Sequence, residues 1–124
     1  MKANELMIGG WCRRRSIYQD TGREVVTDFQ ITQICKNGES LYVYGPKGNL
    51  GRVDQIEPIP LTAEILEKNF PEPTDGLTWY PEEGGFNCHT CVPDCEINAF
   101  GLFKYVHQLQ HAFRLCEIEK EIIL

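Results

Sequence analysis

The sequence predicts an α+β fold, because the patterns that form strands and those that form helices occupy different parts of the chain. Residues 5–60 consist of short apolar stretches separated by glycine-containing turns, which is typical of antiparallel strands. Residues 61–124 contain a short helix flanked by prolines and end in an amphipathic helix. We therefore expect a small SH3-like β-barrel over residues 1–60, followed by a short helix, a β-hairpin and a C-terminal amphipathic helix.

The predicted strands of the first part are joined by tight turns. Leu6, Ile8 and then Trp11 open a strand after the glycines at residues 9–10, and the arginines at residues 13–15 continue it. The Asp-Thr-Gly sequence at residues 20–22 forms the next turn. Residues 24–35 mix apolar and polar side chains, which predicts one long, twisted strand with a solvated face. The Asn-Gly pair at residues 37–38 predicts a type I′ hairpin, because that turn needs positive φ at both central residues.

The last part of the predicted sheet is bounded by prolines. A turn at residues 45–49 is followed by a short strand over residues 50–56. Pro58 and Pro60 then end the sheet, because proline lacks the N–H that strand pairing requires. Four or five strands this short must curl to hide their apolar face, and a small barrel is the economical solution.

The helix after the sheet has a defined start and end. Thr62 can cap it with its hydroxyl, and Glu64 complements the dipole of the first turn. Leu61 and Leu66 occupy the two positions of a hydrophobic staple. Pro71 prevents the helix from continuing beyond about two turns.

The region between the two helices predicts a loop and a hairpin. Residues 71–85 are rich in proline, glycine and acidic side chains, with a candidate strand over residues 77–80. Residues 86–100 alternate loosely enough to predict a hairpin that bends at Pro93 and Asp94.

The C-terminal helix is predicted from one apolar stripe whose members are three or four residues apart. The stripe consists of Leu102, Val106, Leu109, Phe113 and Cys116. The polar residues Gln108, Gln110, His111 and Arg114 fall on other faces. Packed against the β-part, this stripe would make residues 1–124 a single domain.

Composition describes an ordinary globular chain. It has 124 residues and a net charge of −6, so its field repels polyphosphates at long range. The first ten residues lack the apolar run of a signal peptide, and no stretch reaches the roughly 20 apolar residues of a membrane span. We therefore expect a cytoplasmic protein with no membrane partner, whose six cysteines are mostly reduced.

The densest group of chemically distinctive residues is the cysteine cluster near residue 90. Cys88, Cys91 and Cys95 could bind one zinc ion with His89, or with a distant ligand such as Cys116 or His107. Only half of a standard zinc site is present, because no second C-x2-C follows. Buried or surface thiols are the alternative, and we expect no bound cofactor and no essential zinc.

Two other chemical interpretations are weaker still. A redox-active C-H-T-C pair would need a strand followed by a helix in an α/β fold, which the sequence does not predict. His107 and His111 share a helix face at the spacing of a metal pair, but the glutamate of H-E-x-x-H is missing. We expect these histidines to face solvent or an interface.

The β-part concentrates basic residues, which raises the alternative of nucleic-acid binding. Seven of the twelve basic residues are Arg13, Arg14, Arg15, Arg23, Lys36, Lys47 and Arg52. Tyr18, Tyr42 and Tyr44 could provide stacking surfaces beside them. Strand alternation would nevertheless place the three consecutive arginines on two different faces.

Three blocks of sequence resemble a known group of proteins. They are N-E-L-M-I-G at residues 4–9, I-E-P-I-P-L-T-A-E-I-L-E-K-N-F at residues 56–70, and K-Y-V-H-Q-L-Q at residues 104–110. The chain resembles a group of short, functionally uncharacterised proteins of Bacteroidetes-type gut bacteria, often found in phage-like or mobile gene contexts. The resemblance implies a cytoplasmic bacterial protein with a small β-domain and a closing helix, and it brings no known activity.

These observations predict a non-enzymatic adaptor that binds another protein, in a phage or mobile-element setting. The chain has no Walker loop and no serine-nucleophile signature, so no catalytic residues are predicted. A nucleic-acid-binding accessory protein using Arg13, Arg14, Arg15, Lys47 and Arg52 is one alternative, and a small zinc-binding domain is the other.

Overall fold

The α+β class is confirmed by the computed structural model, which describes residues 1–71, 77–90, 97 and 101–124. Its contacts group into two compact units, Met1–Ile59 and Pro60–Leu124. The described residues form eight strands and two α-helices.

The first unit consists of two three-stranded antiparallel sheets. Its strands are β1 (Trp11–Ile17), β2 (Glu24–Gln30), β3 (Gln33–Asn37), β4 (Ser40–Tyr44), β5 (Leu50–Arg52) and β6 (Ile56–Glu57). One sheet has the order β2-β1-β6 and the other the order β3-β4-β5. Within Met1–Ile59, hydrogen bonding does not close either sheet into a barrel.

The predicted long strand over residues 24–35 is wrong, because the chain changes partners in the middle of it. The N–H of Ile31 donates to the Gly10 carbonyl, at 2.9 Å, whereas the N–H of Thr32 donates to the Tyr44 carbonyl, at 2.8 Å. Ile31 also buries its side chain, which is 1% exposed. The segment is therefore two strands that belong to different sheets.

The predicted strand over residues 50–56 is also divided. A 3-10 turn at Val53–Gln55 separates β5 from β6. As a result β5 pairs with β4, and β6 pairs with β1.

The turn between β3 and β4 lies one residue later than predicted. Asn37 pairs with Ser40, so Gly38 and Glu39 form the two-residue loop. Only Gly38 of these two has positive φ, at 64°, which excludes a type I′ turn. The turn over Pro46–Gly48 is confirmed, and there Lys47 itself adopts a φ of 60°.

A small apolar core lies inside the first unit. Its fully buried members come from both sheets and from the break between them: Cys12, Phe29, Ile31, Val43 and Ile56. Met1, Leu6 and Ile34 pack against this group and are partly buried.

The first helix of the second unit agrees with its sequence signals. Helix α1 (Ala63–Asn69) follows Thr62, whose Oγ1 accepts a hydrogen bond from the N–H of Ile65 at 3.3 Å. Leu61 and Leu66, the two staple residues, are both buried.

A hairpin lies earlier in the chain than the one predicted over residues 86–100. Strand β7 (Leu77–Glu82) confirms the short strand predicted over residues 77–80 and extends it. It pairs with β8 (Gly85–Thr90) through a turn at Glu83 and Gly84. The bend predicted at residues 93–94 lies outside the described residues.

Helix α2 (Val106–Leu115) has the apolar stripe that the sequence predicts. Val106, Leu109 and Phe113 are at most 2% exposed, while Leu102 and Cys116 are half-buried. Of the polar residues expected on other faces, His111 and Arg114 are exposed and Gln110 is half-buried.

Aromatic rings from several segments of the second unit contact one another. The Phe70 ring contacts those of Trp79 and Phe113, with centroid distances of 5.2 and 5.9 Å. Trp79 also contacts Phe103, at 6.2 Å. The rings thus join α1, β7 and α2.

In the part of the chain that the structure describes, no helix has the length and apolar character needed to cross a membrane.

Candidate protein-binding face

The β3-β4-β5 sheet has one face in the core and one towards solvent, because side chains alternate along each strand. Val43 is fully buried on the inner side. Its neighbours Tyr42 and Tyr44 point the other way, and Tyr44 is 38% exposed. The central strand therefore presents two tyrosines on the outer face.

The register of the strands places other side chains directly beside these tyrosines. Tyr42 lies between Cys35 of β3 and Arg52 of β5. Tyr44 is paired in the same way with Gln33 and with Leu50, which is 37% exposed. We call the group of Tyr42, Tyr44, Leu50 and Arg52 the tyrosine face.

The end of the tyrosine face near Arg52 adjoins a cavity of about 410 Å³. The Nε of Arg52 lies 3.0 Å from Asp54, so its charge is paired at the surface. The cavity is lined by Ala3, Glu39, Ser40, Leu41, Arg52, Val53 and Asp54. The face thus combines apolar and aromatic area with a polar, concave rim.

The three consecutive arginines lie elsewhere, on the β2-β1-β6 sheet. Arg13 forms an ion pair with Asp28 at 2.8 Å, and this hydrogen bond raises the pKa of Arg13 above its ordinary value. Arg14, on the opposite side of β1, donates to the Leu50 carbonyl. The predicted division of the arginines between two faces is confirmed.

Arg15 is held between two carboxylates. It forms ion pairs with Glu24 and Glu57, and its hydrogen bonds to them raise the pKa of Arg15, the bond to Glu24 being the larger cause. Carboxylates so close to the arginines reduce the positive potential that would attract phosphates. The structure therefore places Arg13, Arg14 and Arg15 in intramolecular contacts, and only Arg14 reaches the backbone of the tyrosine face, at Leu50.

Lys47 and Arg52 are the two nucleic-acid candidates near the tyrosine face. Lys47 lies in the exposed turn that joins β4 to β5, next to the Tyr44–Leu50 pair. Arg52 belongs to the face itself and is paired with Asp54.

Only part of the cysteine cluster falls within the described residues. Cys88 is 1% exposed on β8, opposite Trp79, whereas His89 is exposed and its ring contacts Tyr80 edge-on at 5.0 Å. Adjacent positions on a strand point to opposite faces, so Cys88 and His89 are not oriented towards one metal ion. Cys91 and Cys95 lie outside the described residues.

No group of three or more histidine, cysteine or acidic side chains suited to hold a metal occurs within residues 1–71, 77–90, 97 and 101–124. The absence of essential zinc stays a prediction, because two of the candidate ligands are not among these residues. Of the two helix histidines, His111 is exposed as expected. His107 is 5% exposed and stacks on Tyr105, so the expectation that it faces solvent or an interface is wrong, because its ring is buried within the chain itself.

The sequence did not identify Leu50 as part of this surface, nor Glu24, Asp28 and Glu57 as partners of the arginines. These relations depend on strand register, and Arg15 and Glu57 are 42 residues apart. No protein-family model, curated protein or solved structure matches the chain.

Proposed function

We propose that the protein is a non-enzymatic adaptor that binds another protein through the tyrosine face. The observation that carries this proposal is the cross-strand pair of Tyr44 and Leu50, both more than one third exposed beside Tyr42 and Arg52. Tyrosine and arginine are the residue types enriched at the centres of protein interfaces, because they combine apolar contact area with hydrogen-bonding groups.

The proposal includes an SH3-like barrel arrangement for Met1–Ile59. Two connections support it, because each passes from one sheet to the other. Strand β2 continues into β3, and β5 leads into β6 through a single 3-10 turn. The two sheets also share one core, to which Phe29 and Ile56 of one sheet and Val43 of the other contribute. A rigid scaffold of this kind holds the tyrosine face in a fixed shape before binding.

The setting we propose is the cytoplasm of a bacterium, in a phage or mobile-element context. Its support is the resemblance carried by residues 4–9, 56–70 and 104–110.

Site-specific photo-crosslinking tests the proposal. A photoreactive phenylalanine analogue at position 44 should crosslink one or a few specific proteins in bacterial extract, and Tyr42→Ala in the same chain should strongly reduce the yield. The matched control places the analogue at Val26, which is 44% exposed on the outer face of the other sheet. Equal crosslinking from positions 44 and 26 would contradict the assignment of the face.

Nucleic-acid binding through the same face is the second candidate function. It is favoured by the two adjacent tyrosines, on which bases could stack, and by Lys47 beside them. Anisotropy of a labelled single-stranded oligonucleotide tests it. Affinity that falls steeply with salt and is reduced by both Tyr44→Ala and Lys47→Gln would replace the protein-binding proposal.

The third candidate, a zinc-binding domain, is tested by elemental analysis of protein purified without added metal. We expect well under one zinc per chain. A stoichiometric value, with unfolding on chelation, would establish a structural zinc site instead.

A further inference from the structure

The segment that follows α2, residues 118–124 (the tail), is bound to α1 through its backbone. The side chain of Asn69, only 6% exposed, forms two hydrogen bonds with the peptide groups of Ile123. Its Nδ2 donates to the Ile123 carbonyl and its Oδ1 accepts from the Ile123 N–H, both at 2.7 Å. Lys68 donates to the Leu124 carbonyl. We call Lys68 and Asn69 the tail slot.

Burial alternates between the two isoleucines at the end of the tail. Ile122 is 1% exposed and Ile123 is 56% exposed. The bonds from Asn69 engage the backbone of residue 123 and do not depend on its side chain. The slot therefore selects a segment that offers the backbone of residue 123 to Asn69 and an apolar side chain at the Ile122 position.

The turn that directs the tail towards the slot is strained at Glu117. Helix α2 ends in a Schellman motif, in which the N–H of Ile118 donates to the Phe113 carbonyl at 2.8 Å and the N–H of Glu117 to the Arg114 carbonyl at 3.3 Å. This motif requires the left-handed conformation at its turning residue, and Glu117 has a φ of 57°. Glycine adopts that conformation freely, whereas residues with a Cβ adopt it at a cost.

The local sequence favours a helix where the structure has a turn. Residues 116–121 contain three glutamates and one lysine, and neither glycine nor proline. Glutamate and lysine are good helix formers, so this stretch could continue α2 in place of the turn. A continued helix would carry the tail away from its own slot by about 1.5 Å per added residue.

We infer that the tail slot is an exchange site, in which the tail of a second copy of this chain replaces the first and forms a tail-swapped dimer. The same residue types meet in the closed and in the exchanged form, so each slot regains its hydrogen bonds and its buried isoleucine. Opening the turn releases the strain at Glu117 and permits the helix to continue. The balance between the two forms then depends on protein concentration.

A matched pair of substitutions at the turn tests this inference. Glu117→Gly fits the left-handed turn and disfavours a continued helix, whereas Glu117→Ala does the opposite, and both remove the same carboxylate. Sedimentation velocity over a range of concentrations should show a dimer that is tighter for Glu117→Ala than for Glu117→Gly by more than about tenfold. Two variants that remain monomeric throughout, or that dimerise equally, would overturn the exchange mechanism.

Complementation provides a second, independent measurement. Asn69→Ala disables the slot but keeps the tail, and Ile122→Asp disables the tail but keeps the slot, each in the Glu117→Ala background. Neither variant should dimerise alone, while an equimolar mixture should give a heterodimer with one intact slot and tail. Dimerisation of either variant alone, or no heterodimer between two variants shown by circular dichroism to be folded, contradicts the inference.

Discussion

Cys12 is the second residue of β1, and its side chain is fully buried among residues from both sheets of the first unit. Burial raises the pKa of its thiol from the ordinary 9.0 to about 12, and the nearby charge of Asp28 adds to the effect. A thiol must ionise to act as a nucleophile or a metal ligand, and burial disfavours that ionised form at Cys12. Its role is that of a small apolar core residue.

The shifted pKa of Cys12 predicts a loss of stability at alkaline pH. The thiol ionises above pH 9.0 in the unfolded chain but only near pH 12 in the folded chain. The contribution of the neutral Cys12 thiol to the free energy of unfolding is therefore complete below pH 9 and is lost as pH rises towards 12. At about pH 10 the loss should be roughly 1.4 kcal/mol. Urea denaturation at about pH 8 and pH 10 measures it, and Cys12→Ala should lose less stability between the two than the natural chain. Equal losses would contradict the pKa assigned to Cys12.

Close packing around Gly45 leaves no room for a larger residue at that position. A Cβ at this position would lie 2.3 Å from Cδ2 of Phe29 and 3.1 Å from the Gln30 carbonyl. Separations this short force neighbouring atoms to move, and Phe29 is itself a buried core residue. The glycine is therefore required by space and not by its backbone conformation.

Gly45→Ala should destabilise the protein by about 1–3 kcal/mol, the usual cost of overpacking. Chemical denaturation measures the effect, and Phe29→Leu in the same chain should reduce the additional cost of the alanine because the smaller side chain leaves room. Gly38→Ala is the control, since its φ is 64° but no atom lies within 4 Å of the added Cβ. The cost of Gly38→Ala should be the same with and without the Phe29→Leu change in the chain. If Phe29→Leu changed the cost of both alanine substitutions equally, the steric explanation would be refuted.

The elements show where local sequence was sufficient. Helix α1 begins after the Thr62 cap and ends before Pro71, because capping and the loss of a backbone N–H act within a few residues. Helix α2 buries the stripe that its spacing predicted, since the period of 3.6 residues alone determines which side chains share a face.

The packing of the apolar stripe of α2 can be tested by substitution. Leu109 is fully buried, so Leu109→Ala should lower the free energy of unfolding by about 2–5 kcal/mol. His111→Ala, at an exposed position two residues further on, should change it by less than about 0.5 kcal/mol. Denaturant titration of the two variants measures both changes in the free energy of unfolding. Small changes for both variants would mean that the stripe is not packed as described.

Whole-molecule charge is distributed unequally between the two units. Met1–Ile59 contains eight basic and seven acidic residues, whereas Pro60–Leu124 contains four and eleven. The net charges are thus +1 and −7, which together give the −6 of the chain. Any attraction to nucleic acid must come from the first unit, where carboxylates already pair several of the arginines.

The sequence predicts that residues 1–124 fold as a single domain. Each unit contains one tryptophan, Trp11 in the first and Trp79 in the second. If the chain unfolds as one cooperative domain, the variants Trp11→Phe and Trp79→Phe should each give a fluorescence transition that coincides with their own circular dichroism transition. A fluorescence midpoint that departs from the circular dichroism midpoint would show two domains of different stability.

The sequence by itself determined the α+β class, the limits of α1, the stripe of α2 and the turn at Pro46–Gly48, because these depend on interactions between residues close in the chain. The tertiary structure decided the change of partner at Ile31 and the pairing of β7 with β8. It also decided which carboxylates meet Arg15 and which peptide group meets Asn69. Strand order brings Arg15 and Glu57 together across 42 positions, and the packing of the tail on α1 brings Asn69 and Ile123 together across 54. Neither spacing nor composition records which distant residue will lie opposite.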